Sequence, residues 1–584
     1  DWSLATKNSR MVRTVRRTTP PHHFPVLALS MMLSSRTAVR AFASVTSRVP
    51  AVLRPGNAPP PAFVRRRTPT TAVRAVSARG GGDAAASSFP TWTFDGPCRS
   101  MEWSPAAEFE TRVVSELGAD DAASASLLVV GLYGPAEGAD GAGGLSGAAA
   151  DVDAETGGAL AALLAENAKE FKDGGVAGAA TPVLRTFVGG VSRRIVAVGL
   201  GPVGQADGAS TVSGKVGSAL AKIVREEKGV TSVAVALPQG EHDAARLVTE
   251  LKKDLYVDNR YRTGKNVVEV AVGLQSVVLG IPGADPASVD AGTALADGVA
   301  LCMDVVNAPP NVLNPASMAE TARRIADMSG GTMQCQVLNV ADCEERGMGA
   351  YLGVGRGAEV PPHFIHLTYT PAGDIKRKVA IVGKGLTFDT GGYNIKVAAM
   401  ELMKFDCGGS AAVLGAARTV AATRPPGAEV HFVIAAAENS IGDRAYRPSD
   451  VLVASNGKTI EIGNTDAEGR LTLADALVYA DREVGAEAIV EMSTLTGAVM
   501  VSLGQGMSGL WTADDALAQE LVASAATTGE QTWRMPLPEE YEEQIKSKIA
   551  DLKNVGGRYG GAITAALFLN HFVEAKKPFA HVDI

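Results

Sequence analysis

Short apolar runs alternate with stretches of helical spacing from residue 126 to residue 483, and that alternation leaves the chain few ways to fold. Segments 126–132, 194–199 and 232–237 have the length and apolar density of strands, while 157–172, 213–228 and 241–253 carry apolar residues at helical intervals. A strand followed by a helix and another strand buries both apolar faces most simply when helices cover a largely parallel sheet. The pattern predicts an α/β fold. At 584 residues the chain holds more than one domain. The divisions expected are a leader over 1–90, a smaller α/β scaffold domain over 91–280 and a larger α/β domain over 281–584.

The scaffold segment gathers no acids, histidines or phosphate-cradling glycines. Its Gly-rich run 134–147 contains acids and no base, and reads as a surface loop. In the second domain, 290–306, 315–328, 409–423 and 471–483 have helical spacing. Segments 363–369, 378–382, 430–436 and 488–492 read as strands. The prolines of Asn307-Ala-Pro-Pro-Asn311 end one helix, and Pro315 suits the first turn of the next.

Charge separates the leader from the rest. The first 90 residues hold Lys7 and 13 arginines but only Asp1 and Asp83 as acids. That Arg-, Ser- and Ala-rich, acid-poor profile matches an organelle transit peptide. A basic arm for nucleic acid is the alternative. The apolar run 24–33 behind Arg13, Arg16 and Arg17 also resembles a signal-peptide core, so a two-step address is a further expectation. Asp1 is no natural start, and Met11 or a later methionine is the expected initiator. Removing those 14 cations and two acids from totals of 55 and 63 leaves 41 and 61, a net of −20. So acidic a body argues against a polyanionic partner such as nucleic acid. No apolar stretch is long enough to span a membrane. Five cysteines without a Cys-x-x-Cys pair suit a reducing compartment.

Two motifs concentrate chemistry. In NTDAEGR (464–470), Asp466, Glu468 and Arg470 stand two positions apart, so in an extended segment all three heads face one spot. Adjacent carboxylates repel unless a positive charge lies between them. Upstream, the strand over 378–382 feeds GKGLTFDTGGYNIK (383–396), with Lys384, Asp389 and Lys396 among glycines that allow tight bends. Strand ends are where α/β proteins place their sites. Asp406 follows at a helix start, where an acid is also a favoured cap. Asp389, Asp406, Asp466 and Glu468 supply hard oxygen donors for a two-cation site. Two cations roughly 3.5–4 Å apart would acidify a water and stabilise a tetrahedral intermediate. His363, His366, His431, His571 and His581 lack zinc-protease spacing and read as structural.

KGLTFDTGG together with NTDAEGRL resembles the leucyl aminopeptidase family, the cytosol-type two-metal aminopeptidases whose plant members carry transit peptides. The likeness runs from about Asp120 to the C-terminus and is strongest after Val305. It implies a mixed central sheet in the second domain and hydrolysis of N-terminal residues, leucine and other mainly apolar ones, from peptides with a free amine. By this resemblance Asp389 and Glu468 bridge two metals, Lys384 and Asp406 complete the tighter one, and Asp466 completes the exchangeable one. The expected ions are Zn²⁺ or Mn²⁺, with Mg²⁺ an alternative. Lys384 must be neutral to act as a ligand. Lys396 polarises the scissile carbonyl, and Arg470 with the Leu495 backbone holds a bicarbonate that accepts the water's proton. Met403, Thr494 and Gly497 line the pocket for the first side chain. The resemblance also implies a homohexamer and a plastid stromal address, with mitochondrion or cytoplasm as alternatives.

Two departures from the family pattern stand out. The stretch between Lys396 and Asp406 is one residue shorter, predicting a tighter loop. Family members also continue past His581-Val-Asp-Ile584 with an A-G-x-x segment and a helix that close the pocket, so one pocket wall is expected to lie beyond the sequence. A non-catalytic scaffold or chaperone that has lost its pocket is therefore one competing reading. A two-metal phosphoesterase is the other, disfavoured by the lysine ligand and the acidic surface.

Overall fold

The computed structural model describes residues 101–104, 108–134, 145, 147–167, 171, 176–188, 191–202, 208–268, 273–574 and 577–584. The expected leader over 1–90 and most of the expected loop 134–147 lie outside the described residues.

The first sheet has six strands: β1 (Glu110–Val114), β2 (Leu127–Gly134), β3 (Leu184–Val188), β4 (Val191–Pro202), β5 (Ser232–Ala236) and β6 (Ser276–Gly280). Their order is β1-β6-β5-β2-β4-β3, parallel except for the β3–β4 hairpin. Alternate residues point to opposite faces, and both faces are apolar. Leu127, Val129, Val233 and Val235 join the cluster that includes α1 (Ala209–Glu226) and α2 (Ala244–Asp254), while Leu128, Val130, Ala234 and Ala236 join a second cluster. Coverage on both sides is what a parallel sheet requires.

α3 (Ala287–Asn307) packs on α2 and leads through α4 (Pro315–Met328) into the second sheet. Asn314 caps α4 by accepting from the Ala316 and Ser317 amides, with Pro315 in the first turn where a missing N–H costs nothing. The second sheet comprises β7 (Met333–Leu338), β8 (His363–Tyr369), β9 (Arg377–Asp389), β10 (Ala428–Asn439), β13 (Ala488–Ser493), β14 (Ser508–Trp511), β15 (Thr532–Arg534) and β17 (Phe579–Asp583). Its order is β15-β14-β17-β13-β9-β10-β8-β7, and it is mixed. The central run β17-β13-β9-β10 is parallel, whereas β8, β7 and the β14–β17 pair are antiparallel. A small sheet joins β11 (Val451–Val453), β12 (Thr459–Glu461) and β16 (Leu552–Lys553). α5 (Gly408–Thr423) covers one face of the large sheet and α6 (Gly469–Val478) the other. Among the described residues no helix is long and apolar enough to cross a membrane.

Three local expectations change. β9 does not end at Val382 but runs to Asp389, so Gly383 and Gly385 lie inside the strand and make no turn. They are small because neighbours crowd them. A Cβ at 383 would stand 2.8 Å from the Gly409 carbonyl oxygen, and one at 385 would stand 2.7 Å from Ile434 Cγ2. The bend itself falls at Gly391 and Gly392, with φ of 85° and 60°. NTDAEGR is not extended: it turns at 464–467 and enters α6, whose N-cap position is Glu468. Finally, Asp406 is not the N-cap of α5. Cys407 holds that position, leaving the Asp406 carboxylate to point elsewhere.

Candidate metal centre

Lys384 and Asp389 are five residues apart on one strand, and in a regular strand that odd spacing sends their side chains to opposite faces. A bulge reverses this. β10 pairs Ala437 with Leu386 but Glu438 with Phe388, so Thr387 is an extra residue on β9. Beyond it the parity flips, and Asp389 lies opposite Asn439 on the face where Lys384 lies opposite Ala435. One inserted residue thus brings the lysine and the aspartate to the same side, beneath the start of α6.

There the acids converge. Asp389, Asp406 and Glu468 each present an oxygen within 4.8 Å of the others, and all three are buried. Lys384 Nζ lies 2.8 Å from Asp406 Oδ1, 3.0 Å from Glu468 Oε1 and 3.2 Å from the Thr494 carbonyl. Burial opposes the charge on Lys384, but Asp406, Glu468 and Asp389 outweigh it and hold the ammonium well above its ordinary range. Lys396 Nζ bridges Asp389 Oδ2 at 2.8 Å and Asp466 Oδ1 at 2.5 Å. The same balance, burial against Asp389 and Asp466, raises its pKa too. Burial pushes the Asp389, Asp406 and Asp466 carboxyls above the usual carboxylate range, and neighbouring acids add to the shift. Cations therefore decide whether this cluster can stay ionised.

The residues fit divalent cations. Asp406 Oδ2 and Glu468 Oε2 are buried without a hydrogen-bond partner, a costly state for carboxylate oxygens unless something positive approaches them. The donor set is hard and oxygen-rich, as such ions require. Two lysine ammoniums already alternate with the carboxylates, one per pair of acids.

Amides that sequence reasoning missed hold this cluster in place. Asn439, fully buried, donates to Asp389 Oδ1 at 2.7 Å and to the Thr465 carbonyl at 3.0 Å. Asn554, also fully buried, grips the motif loop. Its Nδ2 reaches the carbonyls of Asn464 (2.6 Å) and Ala467 (3.3 Å), and its Oδ1 accepts from the Gly463 amide at 2.8 Å. Tyr446 Oη donates to the Thr465 carbonyl at 2.7 Å. Single Asn or Tyr residues carry no periodicity, so no sequence signal marked them.

The other expected residues sit around the cluster. Thr494 donates to Asp406 Oδ1 at 2.9 Å. Met403 lies on the 3₁₀ turn Met400–Phe405, and Gly497 opens a short helix with empty space where a Cβ would be. Ala399, in the stretch expected to be tight, adopts φ 55° in the left-handed region. Arg470 is buried with Nε and Nη1 unpartnered, and burial draws its pKa down to about 10 against the charges of Glu468 and Asp583. The Leu495 amide donates to Asp583 Oδ1 at 3.0 Å. Such a constellation can bind cations, present a positive side chain to a carbonyl oxygen and hold an anion beside Arg470.

Comparison with known proteins is consistent with this geometry. The family model described as "Cytosol aminopeptidase family, catalytic domain" matches residues 300–584, and the corresponding N-terminal domain model matches 129–265. A probable cytosol aminopeptidase of a Picosynechococcus species is 45% identical over 438 residues, 74% of this chain and 86% of its own length. One from Prochlorococcus marinus is 52% identical over 350 residues, 59% of this chain and 70% of the relative. A mutant of tomato leucine aminopeptidase superimposes with a TM-score of 0.71 at 37% identity, covering 83% of this chain and 93% of that one.

Proposed function

The chain belongs to the cytosol aminopeptidase family of hydrolases, and from that premise we propose that it is a two-metal aminopeptidase removing leucine and other mainly apolar N-terminal residues from peptides. One observation carries the metal-dependent reading: three buried carboxylates meet within 4.8 Å, and two of their oxygens lack partners. Lys384, Asp389, Asp406, Asp466 and Glu468 are the residues that would hold the ions, Zn²⁺, Mn²⁺ or Mg²⁺. When bound, such ions supply Lewis acidity that polarises a carbonyl and acidifies water.

The protein's own groups do the rest. Lys384 must lose its proton to become a donor, and from a free pKa near 10.4 each unit of depression costs about 1.4 kcal/mol. Lys396 keeps its proton and points positive charge at the scissile carbonyl, stabilising oxyanion character as it develops. Arg470, whose carboxylate neighbours Glu468 and Asp583 are committed to the proposed ions and to the 495–496 amides, would hold bicarbonate as proton acceptor. Met403, Thr494 and Gly497 would border the recess for the substrate's first side chain.

The boundary near residue 281, a homohexameric assembly and a plastid stromal address complete the proposal. The acid-poor segment 1–90 and the cyanobacterial and plant relatives support that address. The deciding assay is leucine release from leucyl-amide with added Mn²⁺ or Zn²⁺, with and without chelator. Chelator-sensitive turnover is expected, and turnover that ignores the chelator would overturn the metal-dependent reading.

A further inference from the structure

Asp583, the last residue of β17, is fully buried, and its carboxylate takes its hydrogen bonds from Leu495 and Thr496 in the loop after β13. Its Oδ1 accepts from the amides of Leu495 at 3.0 Å and Thr496 at 3.2 Å, and its Oδ2 accepts from Thr496 Oγ1 at 2.6 Å. Three donors on one buried carboxylate are charge-assisted bonds that offset part of the cost of burial, which still holds the carboxyl above its ordinary range. The carboxylate's own position is fixed by the sheet. Asp583 pairs with Ser493 in the β13–β17 ladder, and the next amide, Ile584, donates to the Ser493 carbonyl at 2.9 Å.

The opposite end of the same loop is tied to the metal cluster. Thr494 donates from Oγ1 to Asp406 Oδ1 at 2.9 Å, and its carbonyl accepts from Lys384 Nζ at 3.2 Å. Thr496 Oγ1 also accepts from the Val499 amide at 3.3 Å, capping the helix Gly497–Leu503. Three consecutive residues therefore span from a fixed carboxylate on β17 to two proposed ligand side chains. Thr494 has no freedom to rotate away while Leu495 and Thr496 are held. The Leu495 amide proton is spent on Asp583, so in this arrangement it serves position.

We propose that Asp583 is a positioning residue for the hydrolysis: through Thr496 and Leu495 it sets where Thr494 meets Asp406 and Lys384, and hence how well the cluster holds its cations. This rests on the metal-dependent reading above and adds a residue outside the ligand set. A misplacement of about 1 Å transmitted in this way costs up to 10²-fold in rate.

The test separates the hydroxyl from the shape. Thr496→Val keeps the side chain's shape and removes the donor to Asp583, whereas Thr496→Ser keeps the donor and removes a methyl. The full chain and both variants are assayed on leucyl-amide across a Mn²⁺ titration, and Mn²⁺-induced thermal shifts are read in parallel. For Thr496→Val, kcat should fall about tenfold or more and the Mn²⁺ requirement should rise at least about threefold, with KM within about twofold. Thr496→Ser should stay near the parent, and Asp583→Asn should follow Thr496→Val. Parent-like behaviour of Thr496→Val would overturn the proposal, as would equal defects in the Ser and Val variants, or a rise in KM alone. If Asp583→Asn does not fold, the Thr496 pair still decides. If the parent protein shows no metal-dependent turnover, the functional reading fails, while the thermal shifts with Mn²⁺ still report on the positioning.

Discussion

Gly469 lies so close to Lys384 that a Cβ on it would stand 2.4 Å from Lys384 Cε and 2.7 Å from Nζ. The lysine tip is no loose end, since Asp406, Glu468 and the Thr494 carbonyl hold it. Gly469→Ala should therefore push Nζ out of the cluster without unfolding the protein. Turnover on leucyl-amide should drop about tenfold or more and the Mn²⁺ requirement should rise, while the circular dichroism spectrum stays that of the parent.

Cations that bind only the native cluster stabilise it by mass action, by about 2.7 kcal/mol at 100 times the dissociation constant. Mn²⁺ or Zn²⁺ should raise the melting temperature, and a chelator should reverse the rise. Glu468→Gln removes one of the buried donors and should abolish both this shift and chelator-sensitive turnover. Lys396→Ala should keep the shift but lower turnover by about 10²–10³. Calorimetry beside the leucyl-amide assay reads both.

Asn554→Ala removes both donors and the acceptor that grip the motif loop between Gly463 and Ala467. The Ala467 carbonyl it leaves is buried and the Asn464 carbonyl half-buried, so a loss of about 1–3 kcal/mol is expected. Urea denaturation of the metal-free protein measures it. The same variant should bind Mn²⁺ more weakly, because Asp466 rides on that loop.

A second polar chain predicts a pH effect away from the cluster. Tyr479 Oη, His366, His431 and Glu429 are linked in series at 3.0, 2.9 and 2.9 Å, with Thr368 Oγ1 beside both imidazoles and Lys378 on Glu429. Burial, then His431, draws His366 from 6.5 down to about 4 against the pull of Glu429. A folded-state pKa below the unfolded one means that the unfolded chain takes up more protons as pH falls. The stabilisation is complete above pH 6.5 and lost progressively toward pH 4. At about 1.4 kcal/mol per unit, His366 accounts for about 3 kcal/mol of that loss. Urea midpoints of His366→Gln between pH 7 and 5 should decline less steeply than those of the parent.

Much of this was legible from sequence because charge in apolar surroundings is conspicuous. Lys384, Asp389 and Lys396 stand among glycines after an apolar strand, and Asp466, Glu468 and Arg470 share one heptapeptide. The strand–helix alternation gave both sheets, and 315–328 and 363–369 matched residue for residue. What stayed hidden depends on contacts between distant segments. Asn439, Asn554 and Asp583 are single polar residues whose meaning comes only from partners 26 to 90 positions away. The full extent of β9 was missed because glycines signal turns locally, whereas Gly383 and Gly385 yield space to neighbours. Asp406 looked like a helix cap because acids favour such positions, but its true partner, Lys384, lies 22 residues back.

Thr387 makes β9 sensitive to counting. Between Lys384 and Asp389 one more residue, with the bulge kept, would turn one of the two side chains through the sheet and bury its charge against α5, whereas loss of Thr387 would leave an even spacing in regular register with β10 and keep both on one face. Amino-acid replacements there are matters of degree, but a length change of one acts through parity, so its direction decides the outcome. Laboratory libraries that vary length across 384–389 should accordingly tolerate removal of Thr387 better than insertion of a single residue.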